Sequence, residues 1–279
     1  GELRRIIDMS GRLDDATLSN DDYFGSFNLK LSENVSQRKN KLHRLNYSSL
    51  GDLKFSFDMR PLRVMVIRQN LPNGDDSSMY EIFNRLNSGG VNLRPQEIRA
   101  SMYHSKFYDM LYGINVSNDW RNLINLPSPD IHMKDVEIIL RSFAAIIDSG
   151  SYKSSLRGFI NSFSRKAKSF DKDKVDFLDL IFSKFIKELR RIESSVFVNK
   201  RGKFNISLFE SVAYAYLRKY VENMSIPESF NIDILKIEAV KNNVDFVEAS
   251  LYASGTSSKY LKRLATADGI INADATSES

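Results

Sequence analysis

The stretch that organises this chain covers residues 80–102 and reads YEIFNRLNSGGVNLRPQEIRASM. At its start, apolar residues recur at spacings of three and four, as they do on one face of a helix: Met79, Ile82, Phe83 and Leu86. Two adjacent glycines, Gly89 and Gly90, should end this helix, because glycine is costly in a helix interior and tolerates positive φ. The pattern therefore predicts a helix followed by a tight loop.

A second helix is predicted to begin at Pro95, because proline lacks an N–H and suits the first helical position. Gln96 and Glu97 follow in its first turn, where a carboxylate faces the positive end of the helix dipole. Free backbone N–H groups converge at such a junction of loop and helix. The junction is thus a candidate site for a phosphate or another anion. The spacing alone favours a plain helical corner, because Gly-Gly corners are common.

The order of residue types in this stretch resembles a family signature. Residues 83–93 read FNRLNSGGVNL, and residues 96–99 read QEIR. They are similar to the signature F-x-R-[LI]-N-x-G-G-x-x-L-[ST]-x-Q-E-[LI]-R-N-A of the GmrSD-type domain, a ParB-like domain found in bacterial anti-phage systems. The resemblance is specific here and more diffuse over residues 62–271.

The chain departs from the family pattern in three places. Arg94 stands where the family has a Ser or Thr cap, so the capping box should be incomplete. Ala100 and Ser101 stand where the family has Asn and Ala. The family's upstream Asp-Gly-Gln-Gln-Arg string is missing. The resemblance therefore implies the C-terminal two-thirds of such a domain, and the isolated chain should hydrolyse nucleotides poorly or not at all.

The resemblance also implies a site for a nucleoside triphosphate with Mg²⁺. Its candidate phosphate-binding residues are Arg85, Asn87, Gly89, Gly90 and Arg99. Its candidate catalytic residues, which would orient a water or a metal ion, are Gln96 and Glu97. The residues themselves leave a structural alternative open, in which Arg85 pairs with Glu97 and Asn87 only caps the broken helix.

Composition narrows the class of protein. The 279 residues are 42% hydrophobic and 27% charged, as in a water-soluble globular protein, and they include no cysteine. No window resembles a membrane span, so we expect no membrane partner. The absence of cysteine fits a reducing cytoplasm, and the resemblance implies a bacterial one. The three histidines, His43, His104 and His132, are too scattered to predict a metal site, and His104 is the one nearest the signature.

A net charge of +5 permits contact with DNA but is mild for a chain with this many charged residues. Two basic clusters are candidate nucleic-acid-binding residues. The first comprises Arg38, Lys39, Lys41 and Arg44, and the second comprises Arg165, Lys166 and Lys168. Exposed connecting segments would have the same composition, so both interpretations stay open.

The expected fold is mainly α, or α+β overall, with a small ParB-like β remnant and a multi-helix C-terminal bundle. The best strand, LRVMVIR, covers residues 62–68. Helical periodicity dominates after residue 94, with predicted spans at 134–148, 156–168, 175–194, 206–220, 232–252 and 257–267. We therefore expect a partial ParB-like region at 1–94 and a helical region at 95–279.

Two functional hypotheses follow. In the first, the chain is part of a type IV restriction-like anti-phage protein whose ParB-like domain binds and hydrolyses nucleotides and acts on DNA. In the second, it is a non-catalytic helical module that binds DNA or a protein, with the chemistry in another chain or segment. The expected partners are DNA and either the missing N-terminal segment or a nuclease, and self-association is left open.

Overall fold

The computed structural model describes residues 28–30, 41–61, 82, 85, 93–153, 155–192, 194–199, 202–251 and 255–273. Backbone contacts divide the chain into two compact units, Gly1–Asp76 and Ser77–Ser279. The strand predicted at 62–68 and the loop at 87–90 lie outside the described residues. The ParB-like β remnant and the division after residue 94 therefore stay predictions.

The described part of the first unit includes a short helical segment. A 3₁₀ turn at Tyr47–Ser49 begins at Asn46, whose side chain accepts the Ser49 backbone N–H, while the Ser49 hydroxyl accepts the Asn46 backbone N–H. Helix α1 follows at Leu53–Asp58. The Tyr47 hydroxyl donates to the Asp58 carboxylate at 2.9 Å, and this bond ties the 3₁₀ turn to the end of α1.

The second unit contains ten α-helices among its described residues. They are α2 (Pro95–Met102), α3 (Lys106–Val116), α4 (Asn118–Leu123), α5 (Lys134–Asp148), α6 (Leu156–Ala167), α7 (Lys172–Leu189), α8 (Ile206–Glu222), α9 (Ile234–Asn242), α10 (Val244–Leu251) and α11 (Ser257–Ile271). The β pairing in the described residues is a single bridge between Val198 and Phe204. The prediction of a mainly α fold is confirmed.

Helix α5 is the central element of this unit. It packs against α2, α3, α6 and α8. Its buried side chains cover most of the helix surface, and a narrow face with Glu137 and Arg141 is partly exposed. Phe143 illustrates this position, because it is fully buried with ring centroids 5.5 Å from Phe107 on α3 and 4.7 Å from Phe182 on α7.

Local polar groups set the helix ends more closely than the apolar periodicity does. The predicted helix at 175–194 in fact begins at Lys172, because the Asp171 side chain accepts the Lys174 backbone N–H at 2.8 Å and caps it. The predicted span at 232–252 is two helices. Asn243 is extended between them, and its side chain caps α10 by accepting the Phe246 backbone N–H at 3.1 Å.

A buried ion pair fixes the start of α5. The Asp135 carboxylate accepts from Arg121 Nη1 at 2.9 Å and from the Asp130 backbone N–H at 2.9 Å. Arg121 Nη2 donates to Asn115 Oδ1 at 2.6 Å, and the Trp120 indole N–H donates to the same oxygen at 3.1 Å. The network therefore joins α3, α4 and α5 through charges that have almost no contact with water.

We expect Asp135→Ala to lower the free energy of unfolding by about 3–5 kcal/mol, because it leaves the Arg121 guanidinium buried without its anion. Urea denaturation monitored by circular dichroism measures the loss. The control is Glu222→Ala, which removes an exposed partner of Arg218 at the end of α8 and should change stability by about 0.5 kcal/mol or less. Equal effects of the two substitutions would contradict the assignment.

Candidate functional site

The start of α2 is held by one carboxylate. Pro95 occupies the first helical position, and Glu97 Oε2 accepts the backbone N–H of Arg94 at 2.5 Å. Arg94 has no side-chain acceptor that could complete a capping box, as expected from the sequence. Glu97 thus forms one half of the box, and its negative charge lies at the positive end of the helix dipole.

Arg99 lies inside the protein, with a relative exposure of 1%. Its Nε donates to Gln96 Oε1 at 2.8 Å, one turn earlier on α2. Its Nη1 donates to Asn161 Oδ1 on α6 at 3.2 Å, and its Nη2 donates to the Glu137 carboxylate on α5. The guanidinium therefore anchors α2 to two other helices.

A second group of polar side chains lies close to Arg99. Gln96 is 2% exposed, and its amide lies near the Tyr108 hydroxyl, which shares a hydrogen bond with Ser164 Oγ at 2.9 Å. Burial raises the pKa of Tyr108 above its usual value, although the hydrogen bond with Ser164 and the positive charge of Arg99 oppose this rise. Tyr108 is accordingly a neutral hydroxyl that helps join α3 to α6.

The structure brings one histidine to the candidate site that was not predicted from the sequence to lie there. His132, in the segment before α5, has its Nδ1 atom 3.7 Å from Glu97 Oε2. The two residues are too far apart in the chain for periodicity or motif spacing to connect them. His104, which is nearer the signature in sequence, instead faces Asp109, with 3.0 Å between Nε2 and Oδ1.

The predicted phosphate-binding residues are only partly within the described chain. Arg85 has helical backbone and is exposed, in agreement with the predicted first helix. Asn87, Gly89 and Gly90 lie outside the described residues. Arg99 is close to both candidate catalytic residues, since it bonds Gln96 directly and Glu97 lies on the same turn. The roles assigned to all these residues stay predictions.

The two predicted basic clusters differ in their surroundings. Arg38 and Lys39 lie outside the described residues, whereas Lys41 and Arg44 are exposed in the first unit. In the second unit, Lys166 Nζ donates to Asp148 at 2.6 Å, Lys168 is exposed and Arg165 is half-buried. Residues 153–174 contain seven basic and two acidic residues, an excess that equals the net charge of the whole chain.

Within the described ranges, no group of three or more His, Asp or Glu side chains is placed to hold a metal ion. None of the helices described is long and apolar enough to cross a membrane. Two cavities of about 320 and 450 Å³ open elsewhere, the first beside α8 and α9 and the second beside α4 and the Val198–Phe204 bridge. Neither is lined by a residue of α2.

We expect Arg99→Met, which keeps an unbranched apolar stem, to destabilise the protein by about 2–3 kcal/mol. This figure lies below the usual cost of breaking a buried pair because Glu137 is 31% exposed and water partly compensates its charge. The control is Arg191→Met, since Arg191 is 76% exposed in its pair with Glu188. Thermal unfolding of both variants measures the difference, and an unchanged midpoint for Arg99→Met would refute the anchoring role.

Comparison with known proteins leaves the chain unassigned to a family. No protein-family model matches it. No curated protein and no solved structure matches it either.

Proposed function

We propose that this chain is part of a bacterial, cytoplasmic, type IV restriction-like anti-phage protein, in which a ParB-like domain binds a nucleoside triphosphate with Mg²⁺ and acts on DNA. The proposal begins from the signature at residues 83–99. Its nucleotide site comprises Arg85, Asn87, Gly89 and Gly90 together with Glu97 at the start of α2, and the buried Arg99 and Gln96 support this turn from inside the protein.

The observation that carries the proposal is the buried anchor of α2. A guanidinium loses its hydration when it is buried, and this cost offsets much of the stability gained from its ion pair. We therefore interpret the burial of Arg99 as a means of holding α2 in one orientation. Its bonds to Glu137 and Asn161 fix α2 against two core helices. The first turn of α2 is consequently held in one position, as a residue that orients a phosphate or a water must be.

The chemistry of Glu97 is compatible with such a site. Mg²⁺ is commonly bound through one or two carboxylates, several waters and the phosphate oxygens of the substrate, so a dedicated cluster of acidic residues is not required. Glu97 supplies one carboxylate, and its side chain is 18% exposed. The exposed Arg85 and Arg94 supply positive charge on the two sides of the predicted loop.

Isothermal titration of the chain with GTP and ATP in the presence of Mg²⁺ tests the proposal. We expect binding, and we expect Arg85→Ala to weaken it about 10-fold through the loss of a charge-assisted contact to phosphate. Arg191→Ala, which removes an exposed arginine from the region after α7, should leave the affinity unchanged. Absence of binding by either nucleotide, or equal effects of the two substitutions, would count against a nucleotide site.

A second candidate function, a helical module that binds DNA without catalysis, is favoured by the charge of residues 153–174. Arg157 and Lys168 are exposed there, on and just after α6. Positive side chains clustered in one segment release counterions from phosphates, which produces salt-dependent and sequence-independent binding. This function and the nucleotide site are compatible within one protein.

We expect duplex DNA to bind the chain and the double variant Arg157→Glu/Lys168→Glu to bind less tightly. Loss of two phosphate contacts should reduce the slope of log affinity against log salt by about 2. The matched control is Lys187→Glu/Lys219→Glu, which reverses two exposed lysines on α7 and α8. Fluorescence anisotropy at several salt concentrations gives the slopes, and identical slopes for both variants would rule out this segment as the DNA contact.

A further inference from the structure

The cavity of about 320 Å³ beside α8 and α9 has the walls of a small-molecule site. Its volume is near the lower end of the range for such sites, so it suits a molecule of one or two rings. The apolar part of the wall consists of Tyr216, Tyr220, Phe230 and Ile271. The polar part consists of Asn231, Asp233, Lys236 and Asn272. A mainly apolar wall with a few polar groups is typical of sites for small organic molecules.

Hydrogen bonds fix the walls of this cavity to one another. Lys236 Nζ on α9 donates to the Ile271 carbonyl at the end of α11 at 3.0 Å. Asn272, directly after α11, donates from Nδ2 to the Ala215 carbonyl on α8 at 3.1 Å. The cavity is therefore formed before a ligand arrives, which limits the entropy lost on binding.

The aromatic part of the wall favours a planar ligand. Phe230 is buried, and its ring centroid lies 5.7 Å from that of Tyr220, with the two ring planes at 90°. A planar ring that stacks on one of them therefore meets the other edge to face. Both arrangements are favourable contacts between aromatic rings.

The Tyr216 hydroxyl is a hydrogen-bond donor at the cavity wall. Its oxygen accepts the Asp233 backbone N–H at 3.2 Å, whereas none of the residues that the structure describes accepts its hydrogen. Burial and the negative charge of Asp233 raise the pKa of Tyr216 above its usual value, although the Asp233 N–H and the charge of Lys236 oppose this rise. The hydroxyl accordingly keeps its proton near neutral pH.

The two charged side chains that line the cavity have opposite signs. Lys236 is the cation and Asp233 is the anion. Asp233 Oδ1 accepts the Leu235 backbone N–H at 2.8 Å, so its carboxylate is held at the start of α9. A charged ligand would be attracted by one of these side chains and repelled by the other. A neutral ligand with both donors and acceptors is compatible with both of them.

We propose that this cavity binds a neutral, planar nitrogen heterocycle of the size of a nucleobase. The ring lies against Tyr220 and Phe230, one of its acceptors takes the hydrogen of the Tyr216 hydroxyl, and one of its donors bonds to the Asp233 carboxylate. An apolar ring of the same size would displace the water at this hydroxyl without replacing its hydrogen bond. The site is separate from the proposed nucleotide site, because the residues that line it belong to the region of α8, α9 and α11.

The experiment is isothermal titration of the full 279-residue chain with adenine, cytosine and nicotinamide. We expect at least one of these neutral heterocycles to bind. Nicotinate, which is anionic, and benzamidine, which is cationic, are planar rings of similar size. They should bind at least about tenfold more weakly, because each is repelled by one of the two charged side chains.

Variants of the cavity wall identify where the heterocycle binds. Tyr216→Phe keeps the ring and removes the donor, and it should weaken binding about 3–10-fold. Tyr220→Leu removes one aromatic face and should weaken binding by at least about fivefold. The matched control is Tyr214→Phe, the same change on α8 at a residue outside the cavity wall. Thermal unfolding checks that each variant is folded.

The outcomes separate this site from the proposed nucleotide site. Binding of a heterocycle that Tyr216→Phe and Tyr220→Leu weaken, and that Tyr214→Phe and Arg85→Ala leave unchanged, supports the proposal. Absence of binding by all three heterocycles, tighter binding of nicotinate or benzamidine, or equal effects of Tyr216→Phe and Tyr214→Phe overturns it. The titration with GTP and ATP is unaffected by these results. Loss of heterocycle binding in Arg85→Ala would show that the two sites are one and would also overturn the proposal.

Discussion

The second unit depends on the pairing of charges along its central helix. Helix α5 is enclosed by other helices, and yet it carries Asp135, Glu137 and Arg141. A charge in such a position is tolerated only when a partner compensates its lost hydration. The partners come from three different elements: Arg121 on α4, Arg99 on α2 and Glu210 on α8. Apolar packing supplies most of the stabilisation, and these pairs tie α2, α4 and α8 to α5.

The same constraint connects the fold to the candidate site. Arg99 compensates Glu137, and in doing so it fixes the helix whose first turn contains Glu97. His132 is brought to that turn because its segment leads directly into α5, where Asp135 is tied to Arg121. Two residues that contribute little to each other's stability are thus held close together by ion pairs on either side of them.

The sequence predicts the helical elements well and the site only in part. The span at 134–148 coincides with α5, because apolar residues and helix-forming residues agree there. The prediction of one helix at 232–252 is wrong because a side-chain cap at Asn243 separates two helices. Apolar periodicity contains no information about such a cap. His132 was missed for a different reason: its proximity to Glu97 is tertiary and follows from how α2 docks on α5. Arg99 was singled out from the signature, but its three acceptors are equally tertiary.

Arg99 pairs with Glu137, and Arg141 pairs with Glu210. These two ion pairs limit how the chain can vary during evolution. Glu137 and Arg141 are one helical turn apart, and the charge of Glu137 also acts on Arg141. Replacement of any one member leaves a neighbour uncompensated, whereas concerted replacement of a pair by apolar residues of similar volume is tolerated by cores of this kind. Substitutions at these four positions should therefore covary among homologues of this chain. Such covariation would identify the docking of α2 and α8 on α5.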